Sequence, residues 1–174
     1  YYPNIALLTG IAWDHINVFP TFEGYVDQFR IFAEMIDKDG TLIYYYADEH
    51  LSRIARGGIK ATAILPYTTH PHVVEGNQTF LLAGDKKIPL SVFGEHNLQN
   101  ISGARLVCKQ LGLSDDQFYE AIATFKGSSR RLEVIAGNDY ATVFYDFAHS
   151  PSKLKATTSA VKQQFSGRAL IAVM

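Results

Sequence analysis

The 174-residue sequence predicts an α/β fold: a mainly parallel sheet flanked by helices, with a small antiparallel sheet inserted between the α/β units. Three observations predict it. The short apolar runs Ile5–Thr9 and Thr41–Tyr46 are each followed by a stretch with helical apolar spacing, the alternation that builds parallel sheets. Residues 59–93 carry strand signals and no helical period. Helical spacing then returns at Gly94. With 47% hydrophobic and 19% charged residues, the chain can bury a sizeable core, which excludes bulk disorder.

Each element has its own local reason. After the first strand, Gly10 to Pro20 is a loop, and Thr21 caps a helix whose Tyr25, Phe29, Phe32 and Ile36 share a face. Asp39-Gly40 ends it. Past the second strand, Asp48 caps a short helix with Leu51, Ile54 and Ala55 inward, stopped by Gly57-Gly58. The antiparallel region takes Ile59–Pro66 as one run, with Thr79–Ala83 and Ile88–Phe93 flanking a hairpin connection at Gly84-Asp85-Lys86-Lys87. Leu98, Ile101, Arg105, Cys108 and Leu111 define the next helix, stopped by Gly112. Ser114 with Gln117 is a capping-box pattern for a helix carrying Phe118, Ile122 and Phe125, which stops at Gly127. A polar hinge, Ser128-Ser129-Arg130-Arg131, leads to a hairpin around Gly137-Asn138-Asp139 and the strand Ala141–Tyr145. Ser150-Pro151 opens the last helix, with Leu154, Ala160 and Val161 inward, and Gly167 precedes a final apolar strand, Ala169–Met174. Both ends run straight into or out of apolar strands, so a longer parent protein is expected.

Charge and cysteine content exclude several classes. Sixteen Lys and Arg against seventeen Asp and Glu leave no basic excess for non-specific nucleic-acid binding. One cysteine, Cys108, allows no internal disulfide and no multi-cysteine zinc cage, and a small buried apolar role is expected for it. No apolar run is long enough to span a bilayer, and no charged-then-apolar leader opens the sequence. A soluble cytoplasmic setting is the expectation.

Chemistry-bearing residues fall in four segments. Asp14-His15 follows the first strand, where ligands of open α/β sheets gather; the pair suits a divalent metal or a proton transfer, or is a structural loop pair. In Gly94-Glu95-His96-Asn97-Leu98-Gln99-Asn100, three polar side chains (His96, Asn97 and Asn100) stand at a helix start, suited to a purine edge or to capping. Arg130-Arg131 is either a phosphate clamp or a surface pair. Asp146-Phe147-Ala148-His149-Ser150-Pro151 joins a strand end to a helix start, with Asp146 a ligand group or a brace for the turn. His50, His70 and His72 read as structural or exposed. No G-x-x-x-x-G-K-[ST] or G-x-G-x-x-G phosphate loop occurs in the sequence.

In order and spacing, these segments resemble the Mur ligases, the ATP-dependent amide-forming enzymes of peptidoglycan synthesis. The match runs from Leu8-Thr9-Gly10-Ile11-Ala12-Trp13-Asp14-His15, through the Gly94–Asn100 motif and the linker Gly127-Ser128-Ser129-Arg130-Arg131-Leu132-Glu133, to Asp146–Pro151. The resemblance implies that residues 1–129 are a partial central ATP-binding domain lacking its phosphate loop. It implies that 130–174 begin a Rossmann-like C-terminal domain. It implies ATP and Mg2+ as cofactors, with His15 a metal ligand, His96, Asn97, Asn100 and Asp146 around the nucleotide, and Arg131 and His149 catalytic. The implied substrates are UDP-N-acetylmuramate and a peptide, L-alanyl-γ-D-glutamyl-meso-diaminopimelate, or L-alanine in a sibling branch.

Two departures stand out. Ser150 follows His149 where many members have a second His, and Val26-Asp27-Gln28-Phe29-Arg30 lacks the Lys that several relatives carbamylate. That pattern suits the branch accepting UDP-N-acetylmuramate itself. The rival readings are a non-catalytic module of the same fold and a metal-dependent hydrolase using His15 and His149.

Overall fold

The computed structural model describes residues 2–173. The chain runs β1 (Ile5–Leu8), α1 (Phe22–Glu34), β2 (Thr41–Tyr45), α2 (Glu49–Arg56), β3 (Ala63–Tyr67), β4 (His72–Glu75), β5 (Gln78–Ala83), β6 (Lys86–Leu90), α3 (Glu95–Gln110), α4 (Asp115–Ala123), β7 (Glu133–Gly137), β8 (Thr142–Tyr145) and α5 (Pro151–Gln164). It is a mixed α/β fold, as the sequence predicts, and divides into two compact units. The first comprises the residues up to Thr69 with Gln99–Asp115, and the second His70–Leu98 with Asp116 onward.

The first unit is built on the parallel sheet β1-β2-β3, in which Ile5 pairs with Thr41 and Thr41 with Ala63. The membership of β3 corrects the assignment of Ile59–Pro66 to the antiparallel region. Ala63-Ile64-Leu65 is apolar at every position and half-buried, as suits a strand added to a parallel sheet, and Pro66 is tolerated because β3 borders this sheet. The core gathers Ala6, Leu8, Ala33, Ile36, Leu42, Leu51, Ile54 and Ala55. Thr21 caps α1 by accepting the Gly24 N–H at 3.2 Å, and Asp48 caps α2 by accepting that of Leu51 at 3.0 Å.

Gly103 lets α3 approach this sheet, since a Cβ there would lie 2.8 Å from Leu7 Cδ1. Beside it, burial pushes the Tyr67 hydroxyl up to about 12, with Tyr45 adding to the shift. The end of α3 is a Schellman motif. Gly112 takes φ +88°, its N–H donates to Lys109 O (3.1 Å), and the Leu113 N–H donates to Cys108 O (3.0 Å). This turn leaves Leu111 exposed rather than inward, and Cys108 is half-buried rather than buried.

The second unit contains the antiparallel sheet β4-β5-β6 and the hairpin β7-β8. The strand β4 is not among the sequence expectations, although its turn carries a signal. Gly76 and Asn77 both have positive φ (55° and 65°), as a two-residue hairpin loop requires. The Thr79 hydroxyl donates to Gln164 Oε1 at 2.7 Å, and Gln164 Nε2 donates to Asn77 O, so α5 is held to this sheet by a buried amide. Phe93, Phe144 and Phe165 form an aromatic cluster with ring centroids 5.7–5.8 Å apart. The expected strand at 169–174 does not form over 169–173, and Met174 lies outside the described residues. Among the described residues no strand pairs with this segment, so its backbone has no ladder and Ile171 is 86% exposed.

Candidate functional site

The loop after β1 is anchored from the next crossover. The Asp48 carboxylate accepts the Ile11 N–H at 2.6 Å through Oδ2 while capping α2 through Oδ1. One side chain thus fixes both the loop and the helix. Farther along, the His15 N–H donates to Asp14 Oδ1 at 2.9 Å, and the His15 carbonyl accepts from Val18 and Phe19 N–H at 2.8 and 2.9 Å. His15 has φ +53°, a left-handed conformation that histidine adopts more readily than most residues, and its ring is exposed. Trp13 Nε1 donates to Phe19 O at 3.0 Å and closes the loop. Burial raises the Tyr25 hydroxyl above its usual value, and the Asp14 carboxylate adds to the shift.

In the second unit, three of the four motif segments converge. Gly94 has φ +88°, and a Cβ there would collide with the Ala160 Cβ, so this turn tolerates only glycine. His96, two residues on, is half-buried. Burial lowers its pKa below 6.5; the Asp146 carboxylate pulls the other way and Arg131 reinforces the lowering. Asn97 Nδ2 donates to Phe93 O at 2.8 Å, so the amide ties the helix start to the preceding chain.

The segment 128–133 is strained and clamped. Arg130 (φ +59°) and Leu132 (φ +47°) are both left-handed, at on the order of 1–2 kcal/mol per residue. Three hydrogen bonds hold them, and a fourth steadies Asp146. The Arg130 N–H donates to Glu133 Oε2 at 2.7 Å, and the Phe147 N–H donates to Arg130 O at 2.9 Å. The Leu132 N–H donates to Asp146 Oδ2 at 2.8 Å, and the Thr157 hydroxyl reaches Asp146 Oδ1 at 3.2 Å. Asp146 therefore braces the turn, which leaves Arg131 exposed between the two strained residues. His149 is exposed, its Nδ1 at 3.0 Å from Phe147 O and its Nε2 at 3.1 Å from Lys153 Nζ.

Arg131 and Asp146 thus lie close enough to His96 for their charges to act on its imidazole, and Asp146 also holds the Leu132 N–H next to Arg131. His15 stands in the first unit's loop, and Asn100 is exposed on the part of α3 that belongs to that unit. Among the described residues no three His, Cys, Asp or Glu side chains gather into a metal cage. A magnesium ion is commonly held by one or two protein side chains with water and phosphate oxygens completing the shell. The Asp14 carboxylate and exposed His15 ring fit such a partial donor set. Sequence reasoning missed Thr157, Glu133 and the second bond of Asp48, because side-chain ties to distant backbone carry no periodic signature.

The model of the Mur ligase middle domain matches residues 1–108. The chain belongs to the Mur ligase family. Among similar Mur ligases, the UDP-N-acetylmuramate–L-alanine ligase of Mycolicibacterium vanbaalenii is 31% identical, over 98% of this chain and 40% of the relative. That of Chloroflexus aggregans is 30% identical, over 97% and 41%. In fold, this Mur ligase chain is similar to MurF from Acinetobacter baumannii (TM-score 0.78, 18% identity, 97% of this chain and 38% of that one). It is also similar to a murein peptide ligase from Psychrobacter arcticus (TM-score 0.64, 24% identity, 97% and 36%). The chain spans about 40% of the length of the curated relatives it matches.

Proposed function

We propose that the full-length protein is an ATP-dependent amide-forming ligase of peptidoglycan synthesis or recycling, working in the cytoplasm. It joins the carboxylate of UDP-N-acetylmuramate to the amine of a peptide, L-alanyl-γ-D-glutamyl-meso-diaminopimelate. ATP phosphorylates the carboxylate, the amine attacks the acyl phosphate, and the amide forms with loss of phosphate. The family match over residues 1–108 carries the ligase reading, and the charges of Arg131 and Asp146 acting on His96 from separate motif segments support a shared site.

In this reading the chain's residues position and neutralise charge. His96, whose charged form burial disfavours, lies against the adenine with Asn97 and Asn100. Asp146 approaches the ribose when the C-terminal domain closes, with His149 nearby, and the exposed Arg131 reaches toward developing phosphate charge. His15, oriented through Asp14, would hold a magnesium ion, whose contribution is to neutralise phosphate oxygens. We place the junction of the central and C-terminal domains at 129/130, where Gly127 and two serines precede the strained turn. Closure about it would exclude water.

A second reading, L-alanine as the amine, is supported by the names of the relatives at 30–31% identity. A phosphate-release assay of the full-length protein with UDP-N-acetylmuramate, ATP and either amine decides between them. Release with neither amine overturns both. Arg131→Ala should lower kcat more than it raises KM for ATP, and an unchanged kcat would reduce Arg131 to a structural role. The 174 residues contain no phosphate loop, so we expect no ATP turnover by this chain alone. Turnover abolished by His15→Ala would contradict that.

A further inference from the structure

A separate cleft of about 380 Å3 opens at the carboxyl end of β2 in the first unit. Its lining is Tyr44, Tyr46, Glu49, Ser52, Arg53 and Arg56. The sequence explains why these six face one space. Tyr44 is in β2 and Tyr46 is in the turn just past its end, and both border the cleft. Glu49, Ser52, Arg53 and Arg56 fall at i, i+3, i+4 and i+7 and so share one face of α2.

The walls are preset. The Ser52 hydroxyl donates to Tyr46 O at 2.7 Å, tying the helix to the end of the strand. Arg56 Nε donates to Ser52 O at 3.0 Å, which fixes the root of its guanidinium and leaves the terminal nitrogens to the cleft. Tyr46 is 60% exposed and presents an open ring.

The electrostatic feature is unspent positive charge. Arg30 is paired with Asp27 and Glu34, and Arg105 with Asp115. Among the described residues, by contrast, neither Arg53 nor Arg56 has a carboxylate within 4.0 Å. Glu49 lines the same space but stays beyond that distance from both. Two guanidinium forks three residues apart on a helix, with Cβ atoms about 5–6 Å apart, match two neighbouring oxyanion groups. The position is also where parallel sheets bind ligands, outside the carboxyl ends of their strands.

We propose that this cleft binds a ligand carrying two adjacent oxyanion groups, a diphosphate or a dicarboxylate, through Arg53 and Arg56. Tyr46 lies along the body of the ligand. Glu49 accepts a hydroxyl or N–H next to the anionic groups, so a substituted anion is preferred to a bare one. No motif residue lines the site, and the proposal does not rest on the ligase reading.

The test is calorimetric titration of the 174-residue chain with pyrophosphate and, separately, with malonate. A saturable isotherm is expected for at least one probe, and the preferred probe identifies the diphosphate or the dicarboxylate class. R53Q/R56Q should weaken that binding at least tenfold, and Glu49→Gln should strengthen it several-fold by removing like charge. Arg53→Gln alone, at an exposed side chain with no ion pair, keeps the test available if the double variant folds poorly, and should weaken binding severalfold. Failure of both probes to saturate overturns the proposal. So does unchanged affinity in the arginine variants with circular dichroism and Tm preserved.

Discussion

β2 and β7 are both five-residue strands, yet four of the five residues of β2 are buried and all five of β7 are exposed. Burial in β2 removes apolar surface from water on both faces, and the paired strands β1 and β3 satisfy its backbone. Among the described residues β7 pairs with β8 alone, and it has a bulge between Val134 and Ala136 and polar ties at its ends. Asn138 Oδ1 accepts the N–H groups of Tyr140 and Ala141 in the turn, while Glu133 and Asp146 hold the other end. One strand is held by what its side chains avoid, the other by what a few carboxylates and amides grip.

The largest expected effect breaks the first kind of support. Leu42→Ala, at a side chain 1% exposed, should lower unfolding free energy by about 2–5 kcal/mol in denaturant titration. The same deletion at Ile135, 60% exposed, should change it by less than about 0.5 kcal/mol. Equal losses would erase the contrast.

Next in size is Asp48→Ala, which removes one acceptor from two backbone donors, Ile11 and Leu51. A loss of about 1–2 kcal/mol is expected, with faster amide exchange at both positions. Asp146→Ala should cost about 1 kcal/mol and expose the Leu132 amide to exchange, exceeding the Ile135→Ala effect in the same unit. If the apolar deletion proves the larger of the two, the polar-tie account of the hairpin fails.

The smallest effect is on titration. His96 should titrate below 6.5, because burial disfavours its charged form. The folded state then binds fewer protons than the unfolded state in that range. Its contribution to stability is fully present above 6.5 and is lost as pH falls through the window down to the lowered folded value. Asp146→Asn should lower the His96 midpoint further, and Arg131→Gln should raise it, both read by NMR. Shifts of the same sign would show that the three groups do not share one electrostatic environment.

Much of the first unit was legible in the sequence because its signals are local. Thr21 and Asp48 cap as their chemistry requires, and the apolar runs at β1 and β2 form where they stand. The membership of β3 was not legible, since a short apolar run does not declare its partner. β4 escaped because its residues alternate weakly, although Gly76-Asn77 marks its turn. At the candidate site the motif residues were found, but the strain at Arg130 and Leu132 was not. Neither residue type favours positive φ, and only the clamps from Glu133, Phe147 and Asp146 impose it.

Gly94 has a consequence at the level of the gene. Every single-nucleotide missense change in a glycine codon introduces a side chain with a Cβ. At position 94 each such change meets both the left-handed backbone and the Ala160 methyl. A second mutation at Ala160 could clear the space but would leave the backbone conformation as unfavourable as before. This codon therefore has no tolerated one-step neighbour other than its synonyms, and drift across the motif is blocked at its first residue.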